Sequence, residues 1–237
     1  MPVFQLSHHL VFPPAGLSRP DGLLAVGGDL SEARILLAYQ AGIFPWYSEG
    51  DPILWWAPDP RLVLILDDFH ISRRLGREIR KKKFRVTFDH CFDKVIEACA
   101  TIRPETWIVP EMIEAYSHLH EQGYAHSVEC WLDNRLVGGL YGVSLGGVFF
   151  GESMFCRVSN SSKIAIAALV ERLKEWNFDF IDYQMKTDHL LRMRAREIPG
   201  AVFYEMLSAS IQRPTRLGNW SDTVNHEKTK RITPREL

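Results

Sequence analysis

The sequence predicts an α/β protein of the α+β kind in two unequal parts with a tail. A small N-terminal domain is read over residues 1–61, a larger domain over 62–212, and a disordered tail over 213–237. Three observations predict this. The first sixty residues are dense in Gly, Pro and Trp, as in FPP, DGLLAVGGDL and AGIFPWYSEGDPILWWAPDPR, which favours turns and short strands over long helices. From Ser127, three runs of strand type (SVECWL, LVGGLYGV, VFFGESMF) are separated by Asp133-Asn134 and Ser144–Gly147, the pattern of an antiparallel meander. A long amphipathic helix and one more strand, FDFIDYQM, then follow. The larger domain should therefore hold a mixed, mostly antiparallel sheet flanked by helices.

Element by element, Asp29 with Glu32 makes a capping-box signal for a helix over 31–41, and Gly42 suits its C′ position. Trp46, Trp55 and Trp56 are expected to pack the N-terminal part, and GLLAVGGDL reads as turns. LVLIL is a buried strand. The segment after it holds eight basic residues between Arg73 and Arg85 against one acid, Glu78. Arg73, Arg77, Arg80 and Lys81 have the spacing of one helical face. Phe92, Val95, Ile96 and Cys99 form one apolar stripe, and Ile113, Tyr116 and Leu119 another, with Pro110 near the second helix's start and Gly123 after its end. Ser161 or Ser162 can cap a helix over about 162–176 with Ile166, Leu169, Val170 and Leu173 inward. Two helices are expected near 188–196 and 200–210. Three strands, a helix, then a strand is the ordering of an acyltransferase core of the N-acetyltransferase (GNAT) type.

Net charge is −1, so affinity for nucleic acid has to come from a local patch, and the 73–85 segment is the candidate. No apolar run reaches 18 residues, and the start Met1-Pro-Val-Phe lacks a secretory pattern, so a cytoplasmic protein with no membrane partner is expected. Cys91, Cys99, Cys130 and Cys156 have no framework spacing and read as free thiols. His118, His120 and His126 lack a third ligand in register and read as surface or cap histidines.

The chemistry concentrates in two places. Glu152 ends a glycine-rich apolar hairpin, and Asp182 and Gln184 share one face of the last strand while Tyr183 faces oppositely. Two polar groups in the middle of such a strand need partners or a task. For Glu152 a structural pairing with an Arg or with Lys163 stays open at this point. Asp182 capping a turn also stays open.

These residues, with DGLLAVGGDL, AGIFPWY, PILWWAPDPR, AYSHLHEQGYAHSVE, LVGGLYGVSLGGVFFGESMF and IDYQ, resemble the leucyl/phenylalanyl-tRNA–protein transferase family over about residues 12–190. The resemblance implies transfer of Leu, Phe or Met from aminoacyl-tRNA to proteins with N-terminal Arg or Lys, marking them for N-end-rule degradation, with no metal and no coenzyme A. It implies catalytic roles for Asp182, Gln184 and Glu152, with Glu152 and Asp182 holding the acceptor's cationic side chain. Leu140, Phe149, Met154, Ile166, Leu169 and Ile181 would form the donor side-chain pocket. Trp46 and Trp107 would stack on the terminal adenosine. Arg73, Arg77, Arg80, Lys81, Lys82 and Lys83 would contact tRNA phosphates, and the protein is expected to be a monomer. The sequence departs from the family at Ala57, where Ser is usual, at Tyr183, where Cys is common, and in HLLRMRAREIPG. The rivals are an acetyl-CoA-dependent N-acetyltransferase and a non-catalytic RNA-binding module. Against the first, the helix-opening junction 157–162 has no glycine to admit a pyrophosphate.

Overall fold

The computed structural model describes residues 2–102 and 106–221. Two sheets organise them. The smaller is built from β1 (Phe4–Leu6), β2 (Leu23–Gly27), β3 (Phe44–Pro45) and β4 (Leu54–Trp56) in the order β1-β2-β4-β3. DGLLAVGGDL therefore contains a strand, closed by turns at Gly22, Gly27 and Gly28, all of positive φ. Helix α1 (Glu32–Gln40) starts after Ser31 without the expected capping box. The Asp29 carboxylate instead accepts the Ser31 N–H at 2.9 Å, an Asx turn that sets the entry of the chain. Gly42 has φ +72 and its expected place after the helix. Trp55 is fully buried and donates its indole N–H to Gly27 O.

The larger sheet has seven strands in the order β11-β5-β10-β9-β8-β7-β6. Strand β5 (Arg61–Ile65) leads through α2 (Arg73–Arg80) to β6 (Arg85–Phe88) at the opposite edge. Helices α3 (Phe92–Thr101) and α4 (Pro110–Glu121) precede the meander β7 (Ala125–Leu132), β8 (Arg135–Leu145) and β9 (Val148–Cys156). Helix α5 (Ser161–Glu175) returns the chain to β10 (Phe180–Gln184), which pairs parallel to β9, while every other pairing in this sheet is antiparallel. The mixed, mostly antiparallel sheet with flanking helices is as expected. Near 188–196, the expected single helix is a short α6 (Asp188–Leu191) followed by an edge strand β11 (Arg196–Ile198) on β5, with Arg194 at φ +70 between them. A residue in the left-handed region cannot continue an α-helix. Helix α7 (Gly200–Ser210) closes this order.

Apolar side chains separate onto the two faces. Val63, Tyr141, Val143, Phe150 and Phe180 pack against α1, α3, α4, α7 and the small sheet. Leu64, Val128, Leu140, Phe149 and Ile181 pack against α5. Asn160, at φ +71, precedes α5, and Ser161 does not cap the helix but donates to Val137 O at 2.9 Å. The expected disorder from residue 213 does not hold for 213–221: Trp220 is 1% exposed, stacks on His126 at 3.6 Å and donates its N–H to Asp89. An indole of that size buries enough apolar surface to hold a short charged stretch in place. Residues 222–237 lie outside the described residues. No helix among the described residues is long and apolar enough to cross a membrane.

Candidate active site

Strand β9 carries a bulge. Its pairing with β8 shifts between Tyr141–Ser153 and Gly142–Gly151, so Glu152 is the extra residue. One inserted residue reverses the alternation of faces. Phe149 and Met154, five positions apart, consequently both belong with the apolar residues under α5. The glycines opposite make room: a Cβ on Gly142 would sit 2.6 Å from the Phe149 ring.

Strand β10 is irregular at the same level. Its ladder with β5 shifts between Asp182 and Gln184, and Gln184 has φ +58. Met185 N–H donates to Tyr183 O at 2.6 Å, closing a three-residue turn around Gln184. Such a backbone costs on the order of 1–3 kcal/mol for a non-glycine residue and persists only where its surroundings enforce it. Asp182 is the enforcer: its Oδ1 accepts the Gln184 N–H at 2.9 Å. Asp182 also takes Arg61 Nε at 2.9 Å and Nη2 at 2.7 Å, and both residues are fully buried. The guanidinium lies between the rings of Phe44 and Phe203, at 5.1 and 4.6 Å. The expectation that Asp182 would hold the acceptor's cation is thus corrected. Its two oxygens are occupied by an internal arginine, and solvent does not reach it.

Among the described residues Glu152 has no ion-pair partner. Tyr116 donates to its Oε2 at 3.2 Å, Gln184 Nε2 donates to its Oε1 at 3.0 Å, and Tyr39 and Tyr116 share a hydrogen bond of 2.5 Å. Burial pushes the Glu152 carboxyl up to about 7; the tyrosine hydroxyls and Arg61 hold it down, while nearby Asp182 pushes it further up. Burial and the neighbouring Glu152 raise Tyr39, Tyr116 and Tyr141, which stay protonated. Asp182 and Gln184 do share a side, and Tyr183 packs on the other.

A cleft of about 860 Å³ opens over Glu152 and Gln184. Trp46 and Trp107 line it on the side of the small sheet, and Leu140, Phe149, Met154 and Leu169 line it on the α5 side. Ile166 and Ile181 lie fully buried beneath these four, in the same apolar cluster. Arg73, Arg77 and Arg80 stand exposed on α2, but that helix ends at Arg80. Lys81 turns back to Glu78 at 2.7 Å and Lys82 has φ +51, so Lys81, Lys82 and Lys83 do not extend one helical face. None of the six lines the cleft.

Sequence reasoning missed Arg61, Tyr39 and Tyr116 as members of this site. Tyr116 sat in an apolar helical stripe and read as core. A signal for Arg61 exists: a charge heading a buried apolar strand requires a buried counter-charge. Among the described residues no group of three His, Cys, Asp or Glu is placed to hold a metal ion. His120 Nδ1 lies 2.7 Å from Ala125 O and His126 Nδ1 lies 2.8 Å from Asp89.

The family model for leucyl/phenylalanyl-tRNA protein transferase matches residues 63–208, and its N-terminal domain model matches 28–59. The chain belongs to this family. It is 57% identical to a leucyl/phenylalanyl-tRNA–protein transferase of Desulfatibacillum aliphaticivorans, covering 93% of this chain and 97% of that one. With the transferase of Syntrophus aciditrophicus (strain SB) the identity is 58%, covering 93% and 94%. Among solved structures it is similar to an aminoglycoside acetyltransferase from a soil metagenomic sample, at TM-score 0.38 and 17% identity over 48% of this chain and 86% of that one.

Proposed function

We propose that the protein transfers Leu, Phe or Met from aminoacyl-tRNA to the α-amine of proteins with N-terminal Arg or Lys, acting in the cytoplasm as a monomer and marking its products for N-end-rule degradation. Residues 1–61 and 62–212 are read as its two domains. The observation that carries the reading is Glu152: a carboxylate with no ion-pair partner among the described residues, facing a cleft whose one side is apolar. A cationic side chain entering there supplies the missing charge and draws the carboxyl back to its ionised form.

The donor ester is already activated, so the protein's task is alignment and charge stabilisation. The acceptor nitrogen bonds to the ester carbonyl carbon, the bond to the ribose oxygen breaks, and the amine's proton ends on that oxygen. An α-amine titrates near ~7.7–8.0, so a useful share is neutral without a strong base. Gln184 donates to Glu152 through Nε2, which leaves its Oε1 free in direction to accept from the attacking amine. Asp182, locked by Arg61, positions Gln184 through its backbone N–H. Leu140, Phe149, Met154 and Leu169, backed by Ile166 and Ile181, receive the donor side chain. Trp46 and Trp107 offer stacking faces for the terminal adenosine, and the α2 cations with Lys81–Lys83 offer sequence-independent phosphate contacts. Family membership disfavours the acetyl-CoA and binding-only readings. The deciding experiment uses radiolabelled Leu-tRNA with a peptide beginning in Arg and one beginning in Ala. Transfer to the first and not the second is expected; equal transfer to both, or none, overturns the reading.

A further inference from the structure

Between β9 and β10 one side chain lines the cleft where β9 offers only a glycine. The parallel ladder of these strands ends at Phe150 and Asp182. The next residue of β10 is Tyr183, whose ring turns to the α5 side and covers the Cα of Gly151 on β9: a Cβ there would lie 2.8 Å from its Cε1. Gly151 has no side chain, and the Tyr183 ring is the nearest side chain to the space a Cβ there would take. Tyr183 is 8% exposed and lines the cleft together with Leu140, Phe149 and Leu169. Its hydroxyl is buried with no hydrogen-bond partner among the described residues, so packing rather than a polar contact fixes the ring. Burial raises its pKa, and the ring stays neutral.

We propose that the Tyr183 ring sets the depth of the donor slot and makes this chain favour aliphatic donors, Leu and Met, over the aromatic Phe. The inference rests on the proposed function, since the slot is the donor slot of that reading. The ring shares the cleft wall and one apolar cluster with Phe149, so an aromatic donor entering there has to displace packed side chains. A close-packed wall gives way reluctantly, and a mismatch of about one methylene already discriminates by roughly 10–200-fold in kcat/KM.

The test measures kcat/KM for Leu-tRNA and Phe-tRNA with an N-terminal-Arg peptide, in the wild type and three variants, each checked by circular dichroism and thermal melting. The wild type is expected to favour Leu. Tyr183→Leu is expected to move the Leu:Phe ratio toward Phe by roughly tenfold or more. Tyr183→Met is expected to move it the same way by less, and Tyr183→Phe, which keeps the ring, to hold it within twofold. A wild type that favours Phe overturns the inference, whatever the variants do. So does an unchanged ratio in folded Tyr183→Leu or Tyr183→Met. A wild type that transfers neither residue sinks the proposed function instead, and that outcome is distinct from these.

Discussion

Asp182 and Glu152 lie on adjacent strands, the first sealed and the second lining the cleft, and their surroundings give them opposite characters. Asp182 is sealed with Arg61 between two phenyl rings, its oxygens taken up by the guanidinium and a backbone N–H. Glu152 is half-buried, its hydrogen bonds among the described residues come from neutral donors, and its carboxyl is pushed up to about 7. The same residue class is thus held in two ways, one acid by an internal cation and the other by neutral donors. Asp182 shapes the backbone under Gln184, and Glu152 faces the cleft.

The sharpest way to break this contrast is to remove the cation. Arg61→Met strands a buried carboxylate and should destabilise the fold by about 3–5 kcal/mol, read by urea denaturation; a loss under about 1 kcal/mol would mean that Asp182 is not sealed. Next in size, Gln184→Ala should lower the transfer rate about a hundredfold with an unchanged melting temperature, whereas full activity would remove Gln184 from the chemistry. Glu152→Gln is close in shape but carries no charge. It should reduce the preference for Arg-initiated over Ala-initiated peptide by roughly 10–100-fold, as for a lost hydrogen bond to a charged group. An intact preference would return Glu152 to a purely structural role.

The pH response separates the two acids further. The folded Glu152 carboxyl titrates above its unfolded value, so the folded state binds this proton more tightly. Its contribution is fully present at acid pH and is lost as pH rises through about 7. Glu152→Gln should therefore gain melting temperature relative to the wild type between pH 5 and 8, and a gap independent of pH would contradict the assignment. Smallest of all, replacing Lys82 and Lys83 by Ala should flatten the log–log salt dependence of tRNA binding by about one to two units without touching either acid.

Much of this molecule was legible in its residues because periodicity reports burial. The meander, α5 and the final strand follow from alternation and helical stripes, and Leu140, Phe149 and Ile181 gather with Leu169 of α5 in one apolar cluster as their spacing required. Met154 reaches the same side only because Glu152 bulges out, a slip that no alternation rule foretells. The left-handed backbone at Gln184 was equally hidden, since nothing local demands it and a distant carboxylate imposes it. Arg61 and Tyr116 were missed as members of the site for a shared reason. Their partners are remote in sequence, and a one-dimensional pattern shows that a residue is buried, not what it meets. Trp220 lay in a stretch too polar and aperiodic to suggest anchoring, and one large ring decided otherwise.

Pairing β5 with β10 joins residues 121 positions apart at Arg61 and Asp182. Closing so long a stretch of chain is slow relative to forming hairpins or helices. During refolding the β7–β8–β9 hairpins can therefore form first, while the corner at Asp182 waits for β5 and β10 to pair. Recovery of turnover should trail recovery of secondary structure, so a kinetic intermediate of this protein would look largely built and yet be catalytically silent.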